Sequence, residues 1–563
     1  MVVSTVDRFD RVVDVVVVGS GAAGLTAATL AHDGGSEVVV VEKADLIGGT
    51  TGVSGGMPWV PVNAHMAEVG STDTRDEALR YIRRLTLGRE PDPELVEVYV
   101  DRAREMLEYL EAHTPLHMTA PSAFNDYYAD LPGGKECGRS LEPAPFDARR
   151  ELGDDARRLR TSPHLPWLTM EEGAKFLRGG EPPDVELAAG RQASDVRVLG
   201  AALVAALYKG LVDRGVAVLT GTAADDLVVS DGEVTGVVCA TAEGSAVLGA
   251  RQGVVLASGG FEWNRDMVQA FIGTPLLPLG PPSNEGDGLR MAMEAGARLA
   301  NMSSYWGQPA FLEPGFVYDG REIPQMASFR STPGVIVVNR HGRRFVNEGA
   351  TYQDFPKVLG AFDASAIDYP NQGQHWAVFD QQVKDRAFIL PSVPPGEPAP
   401  DWVLRADSIR ELAEKIDVDP GELEATVARW NTNVAAGEDS DFHRGTLRFE
   451  THMSGIGPSP SLVLAPVATP PFYAVELRNG TIGTNGGVLV DRDGRVRSNR
   501  KGVIPGLYAS GNASASVFGP AYPGGGATLG PAMTFGYLAG RHVSGRERRA
   551  VGDEGSVARP ATR

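Results

Sequence analysis

Asp14-Val15-Val16-Val17-Val18-Gly19-Ser20-Gly21-Ala22-Ala23-Gly24-Leu25 lies near the start of the chain, and its reading decides the fold. Residues 14–18 form a nearly continuous β-branched run, the pattern of a strand buried on both faces. The glycines follow at once, and Leu25-Thr26-Ala27-Ala28-Thr29-Leu30-Ala31 suits a helix. A second strand, from Glu37 to Val41, ends at Glu42. Strand, glycines, helix, strand and acid in that order make a βαβ dinucleotide-binding unit, whereas the glycines alone would be a weak signal. Gly19 allows the tight turn, Gly21 lets the backbone approach a pyrophosphate, and Gly24 permits close packing of helix on strand. Phosphates then sit on the helix N-terminus at Ala22 and Ala23, where unpaired N–H groups favour anions. Glu42, with Lys43 beside it, is placed to accept hydrogen bonds from ribose hydroxyls.

The rest of the chain must supply more than this unit, because 563 residues exceed a single compact core. A 42% apolar and 22% charged composition is that of an ordinary globular protein rather than a disordered or fibrous one. The net charge of −19 argues against a nucleic-acid partner, which would require a basic face. Cys137 and Cys239, far apart, cannot alone hold an iron–sulfur cluster or a structural zinc, so no metal is expected. Such sparse cysteine fits a reducing cytoplasm. The run Val12 to Val18 is broken by Asp14 and lacks a basic leader, so it reads as a strand and not a secretory signal. No apolar stretch is long enough to span a bilayer; peripheral membrane contact stays open.

Residues 199–258 give an apolar helix, a short strand, a hairpin at Asp231-Gly232 and a strand at Gly253 to Ala257. Residues 486–547 give further strands and a final helix from about Pro531. The expected fold class is α/β: a Rossmann-like FAD-binding domain assembled from both chain ends, with an inserted α+β catalytic domain. The boundaries read 1–299 for the first part, 300–475 for the insertion and 476–547 for the C-terminal part. Segment 117–190, rich in Pro, Gly and Arg, reads as a long loop or a cap over the active site. The polar residues 548–563 read as a disordered tail.

FAD is preferred over NAD because more of the chain fits it. Gly48-Gly49-Thr50-Thr51 and Ser54-Gly55-Gly56 offer backbone donors and hydroxyls. Gly260 follows a strand that returns toward the cofactor, as do Gly511 and Asn512. Gly526-Ala527-Thr528-Leu529 opens the last helix, with Pro531 suited to its first turn. The loop from Gly48 to Gly56 has no His, Cys or Tyr to carry a covalent bond, so the flavin is expected to be non-covalent. With no cluster or haem signature, electrons must leave to an external acceptor, a quinone or similar.

Longer motifs narrow the reading. Asp126-Tyr127-Tyr128, Gly342-Arg343-Arg344-Phe345-Val346-Asn347-Glu348, Asp441-Phe442-His443-Arg444-Gly445 and Tyr522-Pro523-Gly524-Gly525-Gly526 are the specific pieces. Through them the chain resembles the fumarate reductase/succinate dehydrogenase flavoprotein superfamily, and within it the 3-ketosteroid Δ1-dehydrogenases. Asn485 stands where that family has Lys, and Gly525 and Thr351 stand where many members have Pro. The resemblance implies that Tyr352 takes a proton from the carbon next to a ketone and that Tyr127 relays it. It implies that Tyr522 and the N–H of Gly526 polarise the ketone oxygen while hydride passes to flavin N5. A phenol is a poor base near neutrality, and burial makes it poorer, so a partner hydroxyl beside Tyr352 is chemically motivated. Tyr128, adjacent to Tyr127, is the alternative partner. His443 and Arg444 read as structural.

The substrate class is thus a small hydrophobic cyclic ketone, with a 3-ketosteroid preferred. One alternative is a smaller ring, such as a cyclohexanone derivative. Another is a fumarate-reductase-like alkene reductase, although the C-terminal segments offer Asn485 and Tyr522 rather than a carboxylate-clamping His/Arg set. A flavin-binding module without catalysis is the third.

Overall fold

The computed structural model describes residues 8–179, 184–387, 393–452 and 457–548. The expected tail therefore falls, from residue 549 on, outside the described residues. The valine run forms strand β1 (Arg11–Val18), in which every residue after Arg11 is buried. It pairs in parallel with β2 (Val38–Val41), Val15 opposite Val38, and with the long strand Gly244–Leu256 on its other side. A central parallel strand covered on both faces can be apolar at every position, which is why its sequence does not alternate.

That sheet has eight strands. Its path runs Arg495–Arg497, Val503–Ala509, Gly244–Leu256, β1, β2, Ala217–Leu219, with the hairpin Ala223–Ser230 and Glu233–Thr241 joined through Gly244–Leu256. Strands from residue 11 and from residue 509 thus lie in one layer. Helix α1 (Ala22–Asp33) packs on the closing helix Leu529–Ser544. A Cβ on Gly536 would lie 2.5 Å from the Ala23 carbonyl oxygen, so the two helices approach through backbone.

A second, seven-stranded sheet follows Gln325–Met326, Tyr305–Phe311, Phe472–Thr484, His375–Asp380, Ile336–Asn339, with Leu277–Pro278 and Leu404–Ala406 also joined to Phe472–Thr484. Its alternation is regular. Val335 and Val337 enter one apolar cluster with Phe379 and Val475, while Ile336 and Val338 enter another with Leu412, Leu423 and Trp430. Period-two burial on both faces is what a sheet covered on each side by other elements requires.

Segment 117–190 is not a bare loop. It contains short paired strands (Met118–Thr119 with Glu142–Pro143) and the helices Ala148–Leu152, Met170–Gly179 and Val185–Ser194. Its weak periodicity hid them because each is short. Among the described residues, no helix is long and apolar enough to cross a membrane, and no group of His, Cys, Asp and Glu could hold a metal ion.

Candidate active site

Between the two sheets runs a cavity of about 620 Å³, lined at one end by the glycine turn and at the other by tyrosines. The cradle end is built from backbone. Gly19 has φ +104°, and a Cβ there would meet the Ala257 carbonyl oxygen at 2.4 Å. A Cβ on Gly24 would sit 2.0 Å from the Gly19 carbonyl oxygen, so only glycine lets α1 start against this turn. Glu42 is buried and accepts hydrogen bonds from Ser20 N–H at 3.0 Å and Ser20 Oγ at 2.6 Å, and from Ala44 N–H at 2.9 Å. A carboxylate has about four acceptor positions, so capacity remains for a ribose hydroxyl. Lys43 is tied to Glu285 and, at 3.0 Å, to Asp287. Thr51 Oγ1 accepts the Ala22 N–H at 3.1 Å at the mouth of the helix.

Gly19, Gly21, Ala22, Ala23, Glu42, Lys43, Gly49, Thr50, Thr51, Ser54, Gly55 and Gly56 all face this cavity, as do Gly511, Asn512, Gly526, Thr528 and Leu529. Gly24 and Gly260 stand behind it. Gly24 serves helix packing, and a Cβ on Gly260 would strike Thr484 Oγ1 at 2.3 Å. The backbone-lined cradle, with a buried acid at its ribose end, fits a dinucleotide.

At the other end, residues far apart in sequence converge. Tyr127 Oη and Tyr352 Oη share a hydrogen bond of 2.7 Å. The ring of Tyr522 stacks at 5.6 Å from that of Tyr127 and lies 6.0 Å from that of Tyr352. Behind Tyr127, Tyr81 Oη donates to the Pro523 carbonyl at 2.6 Å, and the Tyr127 N–H donates to the same oxygen at 3.0 Å. Tyr128 points elsewhere, donating to Asp354 at 2.9 Å. Tyr127 is therefore the partner of Tyr352.

Gly526 has φ +96°, and a Cβ on it would meet the Met57 carbonyl oxygen at 2.1 Å. Its carbonyl accepts the Trp59 N–H at 3.0 Å, which fixes the peptide beside Tyr522. The glycine at 525 leaves space that Phe124 takes: a Cβ there would meet the Phe124 ring at 2.6 Å.

Burial dominates the electrostatics. It pushes the phenols of Tyr127 and Tyr352 well above 10; Tyr127 and Tyr522 raise Tyr352 further, whereas for Tyr127 the Tyr522 charge raises it and the hydrogen bond from Tyr352 offsets part of the rise. Burial raises Tyr522 as well, offset in part by contacts from Tyr352, Thr528 and the Gly526 N–H. His452, in the same wall, is pushed down by burial to about 3 and is a neutral imidazole. Burial and the nearby Arg444 pull Arg330 down to about 10.

Arg330, Glu450, His452, Phe124 and Gln308 line the cavity but carry no motif that marks them in the sequence. Asn347 and Glu348 of the recognisable motif serve structure instead. Asn347 Nδ2 holds Glu450, and Glu348 is bonded to Arg344 at 2.8 Å and Arg444 at 3.3 Å. Arg444 also donates to the carbonyls of Val335, Ser331 and Thr332, as its structural reading anticipated.

The family description "FAD binding domain" matches residues 14–529. The chain belongs to this FAD-binding family. FAD is accordingly its cofactor. The chain is 41% identical to a 4-oxocyclohexanecarboxylate 2-dehydrogenase of Sinomonas cyclohexanicum, over 97% of this chain and 95% of that protein. It is 38% identical to a 3-oxosteroid 1-dehydrogenase of Mycolicibacterium smegmatis, over 94% of this chain and 97% of that one. A crystal structure of 3-ketosteroid Δ1-dehydrogenase from Sterolibacterium denitrificans, in complex with 1,4-androstadiene-3,17-dione, superposes with a TM-score of 0.87 at 36% identity, covering 95% of this chain and 99% of that one. The resemblance read from the motifs is thus borne out along nearly the whole length.

Proposed function

We propose that the chain desaturates a cyclic ketone between its α and β carbons, with 1,2-desaturation of a 3-ketosteroid as the first reading. The Tyr127–Tyr352 hydrogen bond of 2.7 Å, in one wall with Tyr522 and Gly526, carries this reading. An α-proton is weakly acidic until charge on the oxygen is stabilised. Tyr522 Oη and the Gly526 N–H supply two donors for that oxygen, and such preorganised donors act on the barrier directly. Tyr352 removes the α-proton. Because burial disfavours its phenolate, Tyr352 passes its own hydroxyl hydrogen along the bond to Tyr127 as it takes the α-proton, and Tyr127 in turn releases a hydrogen toward solvent, so neither phenol rests as a buried anion. FAD, bound in the cradle, supplies the two-electron acceptor for the hydrogen leaving the β carbon, and an external quinone-like acceptor reoxidises the enzyme. The enclosing walls keep water from the developing enolate.

A second reading keeps the reaction and changes the ring. The 41% identical relative is named for a monocyclic oxo acid, so a cyclohexanone derivative is the competing substrate. Anaerobic mixing of the yellow holoenzyme with 4-androstenedione and with cyclohexanone derivatives tests both. Bleaching by a ketone, lost in Tyr352→Phe with the flavin retained, is the expected result; normal bleaching in that variant removes Tyr352 as the base. Acid precipitation is expected to release the flavin.

A further inference from the structure

Resting on the second, smaller-ring form of the ketone-desaturase reading, we infer that the substrate carries a carboxylate on its reacting ring and that Arg330 anchors it. Arg330 belongs to the short turn Ser328–Ser331, ahead of strand Ile336–Asn339. It is 4% exposed, yet it lines the cavity together with Tyr352. Its Nη2 donates to the Ala350 carbonyl at 2.7 Å, and its Nε is buried with no partner.

A guanidinium has five N–H donors and a fixed charge. Glu348 is near enough to offset part of that charge but makes no bond to it, so the unmet Nε donor, costly when buried, is what an anion entering the cavity would satisfy. The carboxylates of the same wall are committed. Glu348 is held by Arg344 and Arg444. Glu450 accepts from Asn347 Nδ2 and from the N–H groups of Gly445 and Leu447. Among the described residues, Arg330 enters no ion pair.

The wall beside Arg330 is polar, since Ser328, Ser331 and Gln308 face the same space. Ser331 Oγ and Gln308 Nε2 already donate to the Ser328 and Pro309 carbonyls, so the unmet donor in this wall is the Arg330 Nε, which a hydrocarbon skeleton would leave unpaired. A planar carboxylate matches the guanidinium fork. Ala350, to which Arg330 is tied, stands two residues before Tyr352. The anion therefore lies on or next to the ring whose α-proton Tyr352 removes, not on a distant side chain. Ketone oxygen at Tyr522 and Gly526 and carboxylate at Arg330 fix two points of that ring, and hence which hydrogen faces Tyr352.

The test compares flavin reduction by 4-oxocyclohexanecarboxylate with that by its neutral isostere, 4-oxocyclohexanecarboxamide, and by 4-androstenedione. The acid is expected to exceed the amide in kcat/KM by about 10- to 100-fold, the range of a charge-assisted bond. Arg330→Gln should abolish that preference and Arg330→Lys restore part of it. Calorimetry of the wild-type holoenzyme with unreactive cyclohexanecarboxylate and cyclohexanecarboxamide should give the same order without turnover, even if a variant does not fold. Equal rates and affinities for acid and amide overturn the anchor, as does a steroid that outruns the acid. A common slowing of all three ketones in Arg330→Gln also overturns it, making Arg330 a partner of Tyr352 instead. If no ketone bleaches the flavin, the desaturase reading itself fails and this inference falls with it; an anchor failure alone leaves the neutral ketones active.

Discussion

The two ends of the cavity are made by different means. The cradle is backbone: Gly19 and Gly24 matter for atoms they lack, with carbonyl oxygens at 2.4 Å and 2.0 Å from where a Cβ would stand. The tyrosine wall is side chain, and its central hydrogen bond joins residues 225 positions apart. A ligand as large as a dinucleotide can be held by many weak backbone donors set by one local turn. Proton transfer needs particular atoms at particular places, which only converging side chains supply. The cradle should therefore tolerate changes in side-chain chemistry but no added atom. The wall should tolerate neither lost hydroxyl nor altered order.

The widest separation of the two comes from a pair of variants. Gly24→Val adds atoms where the Gly19 carbonyl oxygen lies 2.0 Å from the Cβ position; it is expected to yield colourless protein, destabilised by about 3 kcal/mol. Tyr352→Phe should purify yellow with unchanged melting temperature, yet reduce its flavin about 10²- to 10⁴-fold more slowly. Flavin content and anaerobic stopped-flow reduction read both. A yellow Gly24→Val, or a colourless Tyr352→Phe, breaks the division.

Within the wall, the adjacent tyrosines give a smaller contrast. Tyr127→Phe removes the hydroxyl 2.7 Å from Tyr352 and should slow reduction about tenfold, the cost of about 1.4 kcal/mol. Tyr128→Phe loses the bond to Asp354 and a contact with Thr351, not one to Tyr352, and should leave the rate within about twofold, as expected of a change outside the reacting groups. Equal effects would mean that the pair acts through packing.

The same contrast explains what was legible in the sequence. The cradle's strand, turn and helix are contiguous, so residues 14–42 sufficed to place them. Tyr352 and Tyr522 were legible only through motifs that flank them, because nothing local announces a convergence. Tyr127 could not be separated from Tyr128 by spacing; Asp354, which takes up Tyr128, decides it in three dimensions. Arg330 and His452 were invisible, since a buried arginine or histidine in a polar loop reads as surface until its neighbours are known. The helices within 117–190 were missed because they are short, and a helix of five residues such as Ala148–Leu152 shows no period.

A contrast in stability, not in rate, lies behind the wall, at Glu142. It is 3% exposed and accepts the N–H groups of Met170, at 2.5 Å, and Glu171, at 3.1 Å. Met170 in turn faces the cavity. Burial holds the Glu142 carboxyl at about 7 instead of 4.5. A carboxyl with a raised folded pKa binds its proton more tightly in the fold than in the unfolded chain. Its contribution to stability is therefore complete below about 4.5 and is lost as pH rises to about 7. At 1.36 kcal/mol per unit, the wild type should lose up to about 3 kcal/mol across that window. Glu142→Gln, uncharged throughout, should flatten the dependence. If stability is local, hydrogen-exchange protection of the Met170 and Glu171 amides should fall over the same window while that of β1 and α1 holds. Protection falling equally in both places would show that wall and cradle open as one unit, and their separation would then describe how the site is built but not how it moves.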